Sequence, residues 1–257
     1  MNSFNVDGKK GIVFGVANDR SIAWAITRIL AQSGATLAVT YQNKRLRSRV
    51  EKLIEPYNSV SLFECDVTHD NNIETLFHAV QKQYGSLDFV VHCIAFAQRE
   101  DLQGAYSAID REGFRVALEI SAYSLLPIVK NAAVIMTDGG SVLTLSFLAA
   151  ERVFPGYNIM GTAKAALENE VKQLAYEFGQ KNIRVNAISA GPLDTLSSRG
   201  IKGFLDMKEI YAERSPLRRN ITHQEVANTA LFLCSDLATG ITGNIIHVDA
   251  GYHVMAV

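Results

Sequence analysis

Short apolar runs alternate with longer segments of helical periodicity along the whole chain, and this alternation most constrains the fold. The run at 87–94 is apolar at nearly every position, as expected for a strand of a parallel sheet that helices cover on both faces. Short connections join the runs to the helical segments, which predicts a doubly wound parallel α/β sheet of the Rossmann type. The predicted strands are 11–16, 36–41, 60–65, 87–94, 141–146, 183–189 and 244–248. Helical periodicity predicts helices over 70–84 and 112–130 among others, and Asn43 is a candidate cap of the helix that follows the second strand.

The composition fits one large domain. The chain has 257 residues, of which 48% are hydrophobic and 20% charged, so residues 1–257 are expected to form a single domain with a sizeable core. The formal net charge is -1 with acids and bases mixed, which indicates neither a nucleic acid nor an anionic membrane as partner. The six histidines are dispersed, so no metal site is expected.

Cysteine usage and the first residues indicate the compartment. Cys65, Cys93 and Cys234 are scattered without a CxxC spacing, which is typical of free thiols in a reducing environment. The first ten residues, MNSFNVDGKK, leave no room for a signal peptide, and no run of about 20 apolar residues follows. We therefore expect a cytoplasmic protein without a membrane partner.

Tyr157 and Lys164 lie seven residues apart at the start of a long helical pattern, in the sequence YNIMGTAK. Seven residues make almost two helical turns, so both side chains emerge on one face, about 10 Å apart along the axis. A nearby ammonium favours a phenolate, and a phenol can donate to an oxygen that gains negative charge. The two residues are therefore a candidate catalytic pair, although a half-buried aromatic and a solvated charge show the same spacing.

The turn after the first predicted strand is where such folds hold a dinucleotide pyrophosphate on free backbone N–H groups. Gly15 permits a tight turn here, but Asp19 and Ser21 stand where further glycines would be expected, so the turn is not a GxGxxG motif. The Ser21 hydroxyl either caps the following helix or contacts a phosphate.

The ends of the next two strands offer groups for the adenosine half of a dinucleotide. Gln42 stands where a carboxylate holds the ribose of NAD, and Asp66 either accepts from the adenine amino group or caps the next helix, where Asp70 is better placed. Lys44 and Arg45 either bind a 2′-phosphate or form a solvated helix face. Because Gln42 is neutral and cannot offset a phosphate charge, we expect NADH as the cofactor, with NADPH as the alternative.

Motifs along nearly the whole chain resemble those of the bacterial enoyl-acyl-carrier-protein reductases, a divergent branch of the short-chain dehydrogenase/reductase superfamily. The seven-residue spacing of Tyr157 and Lys164 is specific, because ordinary members of that superfamily place the pair four residues apart. The matching segments are SIAWAI from Ser21, TYQ at 40–42, CDV at 65–67, HCIAFA at 92–97, REGF at 111–114, YNIMGTAK at 157–164, RVNAISAGP at 184–192 and HVDAG at 247–251.

The resemblance implies reduction of the C2=C3 double bond of trans-2-enoyl thioesters on acyl carrier protein, with NADH, in type II fatty acid biosynthesis, by a homotetramer. It assigns the enolate oxygen to Tyr157 and the nicotinamide ribose to Lys164. The implied cofactor contacts are Gly15, Ser21, Ile22, Gln42, Asp66, Val67, Ile94, Ala95, Lys164, Leu193 and Thr195. The implied substrate contacts are Phe96, Ala97, Phe147 and Tyr157.

Two residues depart from the family pattern. Phe147 stands where many of these reductases carry a second tyrosine, and it lacks the hydroxyl that a ketone oxygen would need. Asp194 replaces a basic residue of the GPIRT pattern beside Thr195, where its charge would weaken cofactor binding or reshape the lid. Two alternatives stay open: a ketone or alcohol dehydrogenase of the same superfamily, and a nucleotide-binding paralogue that has lost catalysis.

The irregular stretch after the sixth predicted strand is expected to form a helical substrate-binding lid near 193–211. It lies at the carboxyl edge of the sheet, where ligands bind in this fold. Gly200 and Gly203 are candidate hinges. The expected apolar cover and acyl slot comprise Ile201, Phe204, Leu205 and Met207 of the lid together with Phe96, Phe147 and Phe154, although any of these is equally an ordinary core residue.

Overall fold

A computed structural model describes residues 6–201 and 203–256. The structure does not describe residues 1–5, Lys202 and Val257. The signal-peptide expectation refers in part to residues 1–5 and therefore lies in part outside the described residues. The strands are β1 (Lys10–Phe14), β2 (Thr36–Tyr41), β3 (Val60–Glu64), β4 (Phe89–His92), β5 (Gly140–Ser146), β6 (Ile183–Ala190) and β7 (Ile245–Val248). They form one parallel sheet in the order β3-β2-β1-β4-β5-β6-β7, which confirms the predicted fold class.

Helices cover both faces of the sheet. They are α1 (Ile22–Gln32), α2 (Lys44–Ile54), α3 (Asp70–Tyr84), α4 (Arg111–Leu118), α5 (Leu125–Ile135), α6 (Asn158–Gly179), α7 (Phe204–Arg214) and α8 (His223–Cys234). One apolar core lies between the sheet and α1, α2 and α8, and the other lies between the sheet and α3, α5 and α6. Strands β4 and β6 are buried along their whole length, which explains why the sequence shows continuous apolar runs there.

Side-chain caps fix several helix starts. The Asn43 carboxamide oxygen accepts from the backbone N–H of Leu46 at 3.3 Å, so the expected cap of α2 is present. Thr222 and Glu225 form a reciprocal capping box that starts α8. Asp70, expected as the cap of α3, is instead its first helical residue, where its charge favours the positive end of the helix dipole.

The helix expected at 112–130 is interrupted. A π-helical turn at Glu119–Tyr123 separates α4 from α5, and the N–H of Ser124 bonds to the carbonyl of Glu119 at 3.1 Å. Pro127 has no N–H to donate to the carbonyl of Tyr123, so a regular ladder cannot run through this point. The segment 111–135 is long and apolar enough to cross a membrane, contrary to our expectation, but half of its most apolar window is buried inside the fold.

Candidate functional site

The strand order reverses between β1 and β4, and this switch point opens a crevice at the carboxyl edge of the sheet. Gly15, directly after β1, has φ 91°, a conformation that favours glycine. A Cβ atom there would lie 2.0 Å from the carbonyl oxygen of Cys93, which follows β4. The crevice therefore admits only a bare backbone at this point, as a closely held pyrophosphate requires, so these residues fit a dinucleotide.

A cavity of about 510 Å³ occupies this crevice and continues beneath the segment after β6. Its volume suits a small-molecule or cofactor site. The predicted site residues that line it are Gly15, Ser21, Ile22, Ile94, Ala95, Phe96, Ala97, Phe147, Tyr157, Lys164, Leu193 and Thr195. The structure thus brings most of the implied cofactor and substrate contacts to one place, from segments far apart in sequence.

Ser21 closes the first turn. Its hydroxyl donates to the carbonyl of Asn18 at 2.6 Å, and no side-chain hydrogen bond caps α1. Of the two roles left open for Ser21, the helix cap is therefore absent. The N–H groups of Trp24 and Ala25 bond to the Ser21 carbonyl, whereas those of Ile22 and Ala23 have no hydrogen-bond partner among the described residues and are available to an anion at the positive end of the helix.

Gln42, Asp66 and Val67 lie apart from the lining of the cavity, at the ends of β2 and β3. The Gln42 amide donates to a carboxylate oxygen of Asp66 at 3.4 Å, so the two polar residues are neighbours. The other oxygen of Asp66 accepts from the N–H and hydroxyl of Thr68 at 3.1 and 2.8 Å. Val67 packs against the core on the α3 side of the sheet.

Lys164 is a buried cation on α6, with 5% of its surface exposed. Its Nζ donates to the carbonyl of Leu145 at 2.6 Å, which leaves two further N–H groups for a ligand. Burial lowers the pKa of Lys164 to about 8, although the nearby Cys93 and Glu168 act in the opposite direction. Near pH 7 the side chain is therefore still mainly an ammonium group.

Tyr157 is the N-cap residue of α6 and is half-buried at the cavity wall. Burial raises its pKa, so the phenol keeps its proton and can donate it in a hydrogen bond. The ring of Phe147 packs edge-on against Tyr157 with ring centroids 5.0 Å apart. The position beside Tyr157 is thus filled by a ring without a hydroxyl.

An aromatic cluster supports this wall from behind. Phe154, expected in the acyl slot, instead packs behind Phe147 with centroids 4.7 Å apart and does not line the cavity. Tyr211 of α7 is 1% exposed and stacks on Tyr252 at 3.7 Å. Its hydroxyl has no hydrogen-bond partner among the described residues.

The segment expected to form a lid contains two helical pieces, a 3₁₀ helix at Ser197–Gly200 and α7. Gly203 starts α7 with φ 74°, in the left-handed region that suits a hinge glycine. Ile201, Phe204 and Met207 line the cavity as expected. Leu205 was expected among them, but it is 70% exposed and faces away, because it lies one residue beyond Phe204 on the helix.

Asp194 forms an ion pair with Lys208 of α7. Its carboxylate is largely exposed, with 63% of the side chain accessible, and the neighbouring Thr195 bonds within the segment. The Thr195 hydroxyl accepts from the N–H of Ser198 at 3.1 Å and can still donate its own proton. The charge that distinguishes this chain from the family pattern is thus balanced by a cation of the same segment.

Sequence reasoning missed two groups of buried polar residues. His92, at the end of β4, contacts the hydroxyls of Thr144 and Ser124, both at 2.9 Å, and burial lowers its pKa to about 3. Glu168, one turn beyond Lys164, accepts from the Ser146 hydroxyl at 2.6 Å. The only sequence signal for Glu168 was a charged residue on the buried stripe of a helix, four residues after Lys164.

The structure also brings together two histidines that lie six residues apart in the sequence. His247, Asp249 and His253 offer ligand atoms within 4.8 Å of one another. The two imidazoles are stacked, with centroids 4.0 Å apart and planes 11° apart, so their in-plane lone pairs do not converge on one ion. Asp249 instead accepts from the N–H groups of Gly251 and His253 at 2.9 and 2.8 Å, which shapes the turn after β7.

The chain is similar to a known family over nearly its whole length. The family model described as enoyl-(acyl carrier protein) reductase matches residues 15–253. The enoyl-[acyl-carrier-protein] reductase [NADH] FabI of Bacillus subtilis is 48% identical over 256 residues, which are 99% of each chain. The protein of the same description from Nostoc sp. is 48% identical over 254 residues, which are 98% of each chain.

Solved structures show the same similarity. An enoyl-acyl carrier protein reductase of Bacillus cereus, crystallised with NADP+ and an indole naphthyridinone, superposes with a TM-score of 0.96 at 47% identity, covering 98% of this chain and 99% of that one. A reductase of Anaplasma phagocytophilum in complex with NAD has a TM-score of 0.94 at 45% identity, covering 98% of this chain and 96% of that one.

Proposed function

The chain belongs to the enoyl-(acyl carrier protein) reductase family, and from this premise we propose that it reduces the C2=C3 double bond of trans-2-enoyl thioesters with NADH. One observation carries the proposal. Tyr157 and Lys164 both line a cavity that also includes the glycine turn at Gly15. A proton donor, a buried cation and a dinucleotide cradle therefore meet in one open cavity.

NADH bound in the crevice would supply a hydride to C3 of the enoyl group, and solvent would supply the proton that C2 takes up to complete the reduction. The negative charge that develops collects on the thioester oxygen. The Tyr157 hydroxyl donates a hydrogen bond to that oxygen. Because burial raises its pKa, the phenol keeps its proton and remains a donor throughout the reaction. Lys164 directs its remaining N–H groups to the nicotinamide ribose and keeps the local field positive.

The remaining cofactor contacts follow the carboxyl edge of the sheet. Gly15, Ser21 and Ile22 would hold the pyrophosphate, and Leu193 and Thr195 would reach it from the lid. Ile94 and Ala95 would contact the nicotinamide half. Gln42 and Asp66, which are hydrogen-bonded to each other at the ends of β2 and β3, would bind the adenosine ribose and the adenine, with Val67 beside them.

The acyl chain occupies the apolar part of the cavity. Phe96, Ala97 and Phe147 line it from the sheet side, and Ile201, Phe204 and Met207 line it from the lid. Because Phe147 has no hydroxyl, the slot lacks the second donor that a ketone substrate would need. This counts against the ketone or alcohol dehydrogenase alternative.

The catalytically inactive alternative rested on Asp194. Its carboxylate is paired with Lys208, so no uncompensated charge stands beside Thr195. Nothing in the cavity then argues against turnover, and we retain one function.

An absorbance assay of reduced-nicotinamide consumption tests the proposal. Crotonyl thioester should be reduced with NADH, whereas acetoacetyl thioester should not. Folded protein that consumed neither cofactor with crotonyl thioester would contradict the enzyme proposal, and a preference for acetoacetyl thioester would favour ketone reduction.

NADH is the proposed cofactor because Gln42 is neutral and lies against Asp66. A 2′-phosphate would meet the Asp66 carboxylate at close range, and like charges repel. Lys44 and Arg45 are exposed at the start of α2 and point to solvent. The ratio of kcat/KM should favour NADH at physiological ionic strength; an NADPH preference that vanished in Lys44→Ala/Arg45→Ala would show that these cations set the choice.

The acyl group is proposed to arrive on acyl carrier protein, and the enzyme to act as a cytoplasmic homotetramer built from one domain spanning 1–257. Aromatic side chains on α4, the following turn and α6 support the oligomer, since Phe114, Tyr123 and Tyr176 are 42%, 45% and 85% exposed. Light scattering at micromolar concentration should give four chain masses, and a single-chain mass would contradict the tetramer.

A further inference from the structure

Three successive residues at the end of β5 contact one face of α6 and its N-cap. Lys164 Nζ donates to the Leu145 carbonyl at 2.6 Å, and Ser146 Oγ donates to Oε1 of Glu168 at 2.6 Å. The Phe147 ring meets Tyr157 at 5.0 Å between centroids. Spacings of seven and four residues place all three helix positions on one face, and we call these paired contacts the β5–α6 clamp.

Glu168 is the member of the clamp that no ligand reaches. It is 7% exposed, and it does not line the cavity, although Ser146 and Lys164 do. Burial and the charge of Glu151 raise the pKa of the Glu168 carboxyl, whereas the Ser146 hydrogen bond, Lys172 and Lys164 lower it, and the net direction is upward. A buried carboxylate persists only where hydrogen bonds and an opposite charge compensate it, and the compensation in direct contact with Glu168 is the Ser146 hydrogen bond.

The other charged and titratable groups around this pair cannot replace Glu168. His92 and Cys93, at the end of β4, are neutral near pH 7, because burial lowers the pKa of His92 to about 3 and raises that of the Cys93 thiol. Glu151, after β5, and Lys172, on α6, are exposed, so water screens their charges. Glu168 is therefore the buried carboxylate that favours the ammonium form of Lys164.

We propose that Glu168 is a positioning residue of the active site, which ties the end of β5 to α6 through Ser146 and places its carboxylate one helical turn from the Lys164 ammonium. Because Leu145, Ser146 and Phe147 are consecutive, this side-chain link adds to the β6 ladder in fixing the carbonyl that orients Lys164 and the ring that supports Tyr157. The inference rests on the proposed function only in so far as Lys164 is to bind the nicotinamide ribose.

Two substitutions test this link. Glu168→Gln keeps an oxygen acceptor for Ser146 but removes the charge, so Lys164 should lose its proton at lower pH, and NADH affinity should then fall at a lower pH than in the wild type. Ser146→Ala removes the side-chain link between β5 and α6 and also the donor that favours the ionised form of Glu168. In that variant kcat should fall several-fold, and the pH at which affinity falls should move in the same direction as in Glu168→Gln.

The test is a titration of NADH binding by fluorescence between about pH 6 and 9, alongside the pH profile of kcat/KM with crotonyl thioester. The matched control is Glu177→Gln, the same change at an exposed position of α6, which should follow the wild type. Coincident profiles for Glu168→Gln and the wild type would overturn the proposal.

Binding separates this inference from the proposed function. Wild type that bound NADH without reducing the thioester would remove the enoyl reduction, yet a shifted binding profile in Glu168→Gln would still support the role of Glu168. Circular dichroism shows whether Glu168→Gln folds. If it does not fold, the kcat of Ser146→Ala is the deciding measurement, and an unchanged kcat would overturn the proposed link between Glu168 and the end of β5.

Discussion

Two walls of the cavity are built in opposite ways. The fixed wall, formed by 145–147 and the facing side of α6, is buried, and its polar groups meet in short buried hydrogen bonds. The cover, formed by 193–211, is held by an exposed ion pair between Asp194 and Lys208 and starts its main helix at a left-handed glycine. Two of its apolar side chains, Leu196 and Leu205, are 57% and 70% exposed.

The difference matches what each wall must do. Hydride transfer needs the donor and the cation held within a fraction of an ångström, which a buried clamp provides. Entry of a thioester and exclusion of water need a segment that can open at small cost, and an exposed ion pair contributes only about 0–1 kcal/mol. The fixed wall carries an electrostatic cost instead, because it buries a lysine.

The largest expected effect is on the fixed wall, at the proton donor. Tyr157→Phe should lower kcat by about 100- to 1000-fold, because it removes one preorganised donor to the enolate oxygen. The ring contact with Phe147 remains, so NADH affinity should stay within about twofold, well under 1 kcal/mol. Steady-state kinetics with a parallel fluorescence titration checks both. A tenfold loss of NADH affinity would show that the phenol binds the cofactor rather than the substrate.

The second prediction concerns the cost of burying Lys164. Since its pKa in the folded protein is about 8 against an ordinary 10.5, the unfolded chain binds more protons between these values, and stability should rise with pH across that window. Lys164→Met should therefore stabilise the ligand-free protein near pH 7 by up to about 3 kcal/mol, less what Glu168 loses with its counter-charge.

The same variant should bind NADH at least tenfold more weakly, because the ribose loses its donor, which corresponds to about 1.4 kcal/mol. Urea denaturation with and without NADH measures both effects. If Lys164→Met were less stable than the wild type at pH 7, burial of the ammonium group would not destabilise the fold as we expect. If it kept full affinity for NADH, Lys164 would not be needed for cofactor binding.

The sequence predicted local features of the molecule better than contacts between distant segments. Strand β2 and helix α3 have the predicted bounds, and Asn43 caps α2 as expected, because these features depend on local periodicity and cap chemistry. The seven-residue Tyr157–Lys164 spacing placed both side chains on the cavity wall for the same reason. Each of these signals is complete within a few residues.

The errors occurred where the outcome depends on contacts between distant segments. Nothing near Phe154 shows that Phe147 will stand between it and the cavity, and nothing near Glu168 shows that Ser146 will face it. Leu205 and Phe204 are equally apolar, and only the packing of α7 decides which one turns inward. The pairing of Asp194 with Lys208 likewise required the path of the chain between them.

Hydrogen exchange should separate the two walls directly. In the ligand-free protein, amides of 193–211 should exchange at least tenfold faster than those of α6 at 160–175, fastest around the exposed Leu196 and Leu205 and slowest beside the buried Met207 and Tyr211. NADH with a bound inhibitor should slow exchange in 193–211 and leave α6 nearly unchanged. Equal protection of 193–211 in both states would contradict a moving cover.

The smallest expected effect comes from the ion pair of the cover. Asp194→Asn leaves Lys208 unpaired, and because both groups reach solvent the pair should contribute about 0.2–1 kcal/mol to the closed cover. A double-mutant cycle with Lys208→Met measures that coupling. The quantity compared among the variants is the free energy of local opening of 193–211, obtained from hydrogen exchange. High salt should reduce the coupling. Asp206→Asn, which removes another charge from the first turn of α7, is the matched control and should show no coupling to Lys208→Met.

The KM for NADH should change less than about threefold in Asp194→Asn, since the carboxylate is directed to Lys208 and not to the cofactor. A tenfold improvement in the NADH affinity of Asp194→Asn would instead show that Asp194 faces the pyrophosphate in the bound state. In that case the segment 193–211 would have to separate Asp194 from Lys208 when the cofactor binds.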